Sequence, residues 1–284
     1  DLCRFAAVAA SVARVPADSC RVVAVAASVV QAASAPQASG IPVVGTASTV
    51  LYDKTQCVQG HPTYCAKSNI RLPQTGIAWL DALLKQRLYE DFSAEGQPAV
   101  KSDAALRKLI DHLVAESADG LKDYAAEKSA INELYDNTDF SFQYQRGRLA
   151  TFRLFHNSYS GGAHNNYAES YITVDLEKRR VLNIADIVAE GKLAALDALL
   201  QKRYAEFILA DNQEYDGNNG SALIRQHKEI FSKKAELTDS FELTADGLVF
   251  HYSPYEIAPF AAGVVKLTVT PDELKGILRP EYLP

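Results

Sequence analysis

The spacing of apolar side chains changes from helical to alternating near residue 140, and that change limits the folds open to this chain. Before it the period is helical. Ile77, Leu80, Leu83, Leu84, Leu88 and Phe92 recur at helical spacing, and Ser102-Asp103 stands where an N-cap belongs, ahead of Leu106, Leu109, Ile110, Leu113 and Val114. A third helical stretch, residues 121–134, continues after Gly120. From Phe140 the period is two. Phe140, Phe142 and Tyr144 alternate with polar residues, Arg146-Gly147-Arg148 supplies a turn, and residues 149–155 alternate again, which describes a hairpin. Further strands are predicted at 167–174, 181–184, 241–243, 248–252 and 264–269, with helices at 193–208 and 221–231 and a helical turn opening at Pro271. Upstream, residues 41–70 read as extended pieces with Val50-Leu51-Tyr52 the best strand, and residues 69–76, holding Pro73, as a loop. Helices first and hairpins afterwards give an α+β fold, an antiparallel sheet of hairpins packed against several amphipathic helices. Regular β-α-β alternation, which a doubly wound sheet needs, is absent.

Composition divides the chain again at about residue 40. Residues 1–40 are dominated by Ala and Val and carry almost no aromatic side chain, so they offer little to a core. Arg21, the apolar residues 22–30 and Ala33-Ser34-Ala35 have the order of an export leader, and the alternative is a mobile low-complexity arm or tether. Residues 41–139 then form an N-terminal helical and strand subdomain and residues 140–284 a C-terminal domain. The longest mostly apolar run is half of what a membrane-spanning helix requires. Of the four cysteines, Cys57 and Cys65 flank a turn-rich stretch, and a disulfide between them fits an oxidising compartment. A metal site with His61 between the two thiols competes with it, but lacks a second Cys/His pair. Cys20 follows Ala17-Asp18-Ser19, whose acidic residue does not fit lipoprotein processing.

No catalytic motif stands in the sequence. The six histidines include no H-E-x-x-H pair, and no nucleophile elbow, P-loop or dinucleotide fingerprint occurs, so neither a cofactor nor a metal is expected. His227 reads as a packed or surface residue. A formal charge of −6 argues against a nucleic-acid partner. Two stretches stand out. Tyr159-Ser-Gly161-Gly162-Ala-His164-Asn165-Asn-Tyr167 reads first as a shaped loop built on Gly161 and Gly162, and alternatively as a contact surface for a ligand or partner. Phe250-His-Tyr-Ser-Pro-Tyr255-Glu256-Ile-Ala-Pro-Phe-Ala-Ala-Gly263 reads as an aromatic-rich excursion between two strands.

These stretches carry a family resemblance. Gly161-Gly-Ala-His164 with Val181-Leu-Asn-Ile-Ala-Asp186, and residues 241–263 followed by Val-Lys-Leu-Thr-Val, resemble the two signatures of the RsiV-like family over residues 140–278, and residues 48–139 more loosely resemble the segment before that domain. The resemblance implies an extracytoplasmic α+β domain. Well-understood family members are anti-sigma factors whose outer domain binds lysozyme, and others stand beside peptidoglycan deacetylase domains. The residues here include no deacetylase metal motif and no sigma-binding segment. The expectation is therefore an exported, non-enzymatic, periplasmic or cell-envelope binding protein, with a lysozyme-type muramidase as the leading partner. The rivals are a peptidoglycan-binding module and a hydrolase using His164 with a carboxylate such as Glu256. Tyr159, His164, Asn165, Tyr255 and Glu256 are the expected partner contacts, and Gly161, Gly162 and Gly263 the structural loop residues. Without residues 1–40 the balance is 26 basic against 33 acidic residues, or −7, which suits a cationic partner.

Overall fold

The computed structural model describes residues 40–93, 99–212, 214 and 216–284. The leader or arm expected at 1–40 falls outside the described residues except for Gly40. Two strands open the fold, β1 (Ala47–Val58) and β2 (His61–Gln74), followed by helices α1 (Ala78–Asp91) and α2 (Asp103–Ala126). A meander follows, of β3 (Glu133–Arg146), β4 (Leu149–Tyr159), β5 (Asn166–Asp175) and the two-residue β6 (Arg180–Val181). Then come α3 (Ile184–Ile187), α4 (Leu193–Asp211) and α5 (Gly220–Ile230). The chain closes with β7 (Phe241–Thr244), β8 (Gly247–Tyr252), β9 (Val265–Val269) and α6 (Pro271–Leu274). The α+β class expected from the sequence is the class observed. No helix among the described residues is long and apolar enough to cross a membrane.

Strands β1 to β6 form one sheet in sequence order, and β7 to β9 form a second, three-stranded sheet. All pairings are antiparallel except one: β2 and β3 run parallel, because α1 and α2 cross over between them and return the chain to the same end. Three element boundaries differ from the sequence reading. Strand β2 runs on through Pro73, which lies one residue from the strand's end opposite Ser48, where one missing donor costs little. Helix α2 stops at Ala126, so Leu134 belongs to β3. Residues 181–184 hold only the end of β6, because Asn183 and Asp186 form a capping box that starts α3 at Ile184.

Two cores follow from the two sheets. Ile70, Leu134, Phe140, Phe152 and Leu154 on one face of the larger sheet pack against Leu80, Leu84 and Leu88 of α1 and Leu106, Ile110 and Leu121 of α2. Each fully buried leucine or phenylalanine there contributes about 1.5–3 kcal/mol. Helix α2 begins where the sequence places it, with Ser102 Oγ accepting the Ala105 N–H at 3.2 Å. The second core joins Phe241, Leu248, Phe250 and Leu267 to Leu196, Leu200 and Tyr204 of α4. The small sheet docks on β5: Tyr171 N–H donates to Ser240 Oγ at 2.9 Å, Thr173 Oγ1 to the Phe241 carbonyl at 3.3 Å, and Glu169 N–H to Ser253 Oγ at 3.1 Å.

Candidate functional site

The β4–β5 loop and the excursion between β8 and β9 come together. Gly161 and Gly162 take φ of 95° and 108°, which lets the loop turn tightly, and Tyr159 Oη closes it by donating to the Gly162 carbonyl at 2.8 Å. This presents His164, whose ring stacks on Phe260 at 3.9 Å between centroids and 19° between planes. Tyr255 tilts against the same Phe260 at 5.7 Å, its hydroxyl 3.5 Å from His164 Nε2, and Tyr167 meets Phe260 edge-on at 5.5 Å. Gly263 ends the excursion at φ 67°, and a Cβ there would stand 3.3 Å from Tyr167 Oη. Tyr255 is 53% exposed and holds φ at 71°, a left-handed conformation rare for a bulky residue.

The expected contact residues are thus placed differently from one another. Tyr159, His164 and Tyr255 sit on or beside this aromatic cluster. Asn165 stands next to it, donating Nδ2–H to Asn157 Oδ1 at 2.7 Å. Glu256 turns inward: its carboxylate accepts the Ser253 N–H at 2.7 Å and caps the turn that carries Tyr255. Burial pushes its pKa up to about 7, against the Ser253 hydrogen bond, which lowers it.

Cys57 and Cys65 are joined in a disulfide directly across β1 and β2, with Cα atoms 4.0 Å apart. That removes the metal reading with His61, because both thiols are consumed. Among the described residues no group of three or more His, Cys, Asp or Glu is arranged to hold a metal ion. His227 is packed, its Nε2 against the Ile257 carbonyl at 2.8 Å and its ring beside Phe231.

Two buried histidine clusters escape the sequence. Thr138 Oγ1, His156 and Asp91 form a hydroxyl–imidazole–carboxylate chain, with contacts of 2.9 Å to Nδ1 and 2.7 Å from Nε2. Thr138 is 2% exposed, so no substrate reaches it and the chain works as a structural bridge between α1 and the sheet. Burial disfavours the charged ring, but Asp91 and Asp136 outweigh it and raise the His156 pKa. His251, also buried, stacks on Tyr171 at 3.8 Å, with Nε2 2.7 Å from Glu242 and Nδ1 3.4 Å from Glu169. Burial again opposes its charge, and the two carboxylates override it to raise the pKa. Only the fold reveals these partners, since Asp91 and Glu169 lie on other elements.

Comparison with known proteins bears on the same region. The crystal structure of a DUF3298 family protein from Pseudomonas aeruginosa PAO1 aligns over 84% of this chain and 97% of its own, with TM-score 0.61 and 18% identity. A member of the DUF3298 family from Bacteroides fragilis NCTC 9343 aligns over 84% and 95%, with TM-score 0.62 and 22% identity. These show the fold. Among curated proteins, the peptidoglycan-N-acetylmuramic acid deacetylase PdaC of Bacillus subtilis is 26% identical over 184 residues, 64% of this chain. The chain spans only 37% of that relative's length. Residues 185–271, from α3 to the start of α6 and including the Tyr255 excursion, match the DUF3298 family, a protein family of unknown function.

Proposed function

We propose that this chain is an exported, non-enzymatic cell-envelope binding protein of the RsiV-like kind, which holds a lysozyme-type muramidase on the His164–Phe260–Tyr255 cluster. The observation that carries the reading is the exposed Tyr255 on a strained backbone, braced by Phe260 and His164. Rigid aromatic side chains with a polar tip are the usual anchors of protein interfaces. The net charge of −6 favours encounter with a cationic partner. The Cys57–Cys65 disulfide and the likeness to a protein named for its action on peptidoglycan support a place outside the cytoplasm.

The test is a titration of a C-type lysozyme in a cell-wall lysis assay, with calorimetry at low and high salt. Stoichiometric inhibition, weakened by salt and by at least about tenfold in Tyr255→Ala, is expected. Absence of binding at low salt removes the muramidase. Loss of a chromogenic muropeptide substrate that requires His164 would instead make the protein a hydrolase.

A further inference from the structure

The small sheet docks on the outer face of the large sheet along β5, with Leu149 of β4 drawn into the same core, and the outer face of β2, β3 and β4 around Asn137 is chemically ordered. Register puts Asn69 of β2 beside Asn137 of β3, and Asn137 beside Asn157 of β4. Their neighbours in sequence, Ile70, Thr138 and His156, point into the core, so by strand alternation the three asparagines share the opposite face. All three are half-buried. Asn137 Oδ1 accepts the Asn69 N–H at 3.0 Å and Asn157 Oδ1 accepts from Asn165, which fixes two carboxamides by their oxygens. Their NH2 groups, and the whole carboxamide of Asn69, make no hydrogen bond with any described residue. Two oriented amides and the uncommitted carboxamide of Asn69 therefore stand in a row with unused donors.

Aromatic pairs bracket the row. Tyr135 and Tyr159 lie on one side with ring centroids 6.1 Å apart, and Phe155 and Tyr167 at the other end, also 6.1 Å apart. Charge on this face is compensated within it: Lys67 pairs with Glu133, Arg71 with Asp139 at 4.0 Å and Arg153 with Glu169 at 3.7 Å, leaving Asp53 at the β1 edge. A face whose charges cancel offers little to a strongly cationic protein. It matches a neutral polymer that presents hydroxyl and amide groups at its edges and C–H faces to aromatic rings. The strand spacing of about 4.8 Å sets the amides apart by a step close to the advance of one pyranose ring.

We propose that this open sheet face binds a neutral glycan of N-acetylated amino sugars, its acetamido and hydroxyl groups hydrogen-bonded by Asn69, Asn137 and Asn157. It rests on the envelope location proposed above but not on the muramidase, and its face adjoins the Tyr255 cluster at Tyr167 and Asn157 without including Tyr255 itself. A soluble N-acetylglucosamine oligosaccharide titrated by calorimetry, with co-sedimentation on purified sacculi, provides the test. Asn69→Ala removes a carboxamide that the protein itself does not use, and Asn157→Asp keeps the acceptor for Asn165 while removing the donor. Each is expected to weaken oligosaccharide binding by roughly fivefold, with little dependence on salt. Tyr255→Ala is expected to keep it while losing lysozyme. The proposal is overturned if the parent protein binds neither oligosaccharide nor sacculi, or if both asparagine variants bind as the parent does. It is also overturned if the asparagine variants lose lysozyme instead of sugar, which would make the face a protein interface. A parent that binds sugar but not lysozyme leaves this inference standing and removes the muramidase reading.

Discussion

Glu256 offers the most direct test of how the aromatic excursion is held. Its carboxyl is pushed up from 4.5 to about 7, chiefly by burial and in spite of the hydrogen bond from Ser253. A pKa raised on folding means that the folded state favours the neutral acid. Its contribution is present below the ordinary carboxylate range and is lost as pH rises through about 7. At about 1.4 kcal/mol per pH unit, the displacement corresponds to about 3 kcal/mol as an upper bound, since solvent entering the turn reduces it. Glu256→Gln keeps an acceptor oxygen for the Ser253 N–H and cannot ionise. Urea unfolding of parent and variant, followed by circular dichroism, should give similar stabilities near about pH 5 and a variant more stable by about 2 kcal/mol near about pH 8.5. A variant destabilised by the same amount at both pH values would refute the reasoning, because the carboxylate would then serve as a bound anion.

Other perturbations have equally definite outcomes. His251→Ala leaves Glu169 and Glu242 facing each other across the sheet junction and should cost about 3–5 kcal/mol in denaturant unfolding. In the parent, the His251 contribution is present below its ordinary pKa and fades as pH rises through its raised value. That of Glu169, whose pKa His251 holds down against burial, fades as pH falls through its lowered value. Thermal unfolding should therefore show a stability maximum between the two. Cys57→Ser, or reduction, should remove about 2.5 kcal/mol of stability, measured by urea titration with and without dithiothreitol. Gly247→Ala places a Cβ against the Val269 carbonyl at a φ of 131° and should cost at least about 3 kcal/mol, with lost expression at 37 °C as the readily scored sign.

Local signals carried most of the architecture. The Ser102 cap, the Arg146-Gly147-Arg148 turn and the Leu193 helix could be read because each is set by residues within one or two turns of chain. The parallel pairing of β2 with β3 could not. Its partners, such as Asn69 and Asn137, are 68 residues apart, and apolar alternation is the same for either direction. The asparagine row was hidden for the same reason, as three isolated residues on three strands make no motif. His164 and Tyr255 were visible as loop residues in a glycine-rich and an aromatic-rich stretch, while their meeting over Phe260 was not. Glu256 looked like an exposed neighbour of Tyr255, and only the turn geometry shows why it faces inward.

The parallel pairing has a kinetic consequence. Strands β3, β4 and β5 close through short turns and can assemble early, whereas β2 must wait until α1 and α2 have formed and brought it back to β3. The β1–β2 hairpin is therefore expected to dock late, at the cost of a long closed loop. Its own turn is local, and the two cysteines face each other within it. Oxidation can thus precede docking, so an oxidised chain presents the sheet with a hairpin already in register. Refolding from the reduced state should be slower in that step alone.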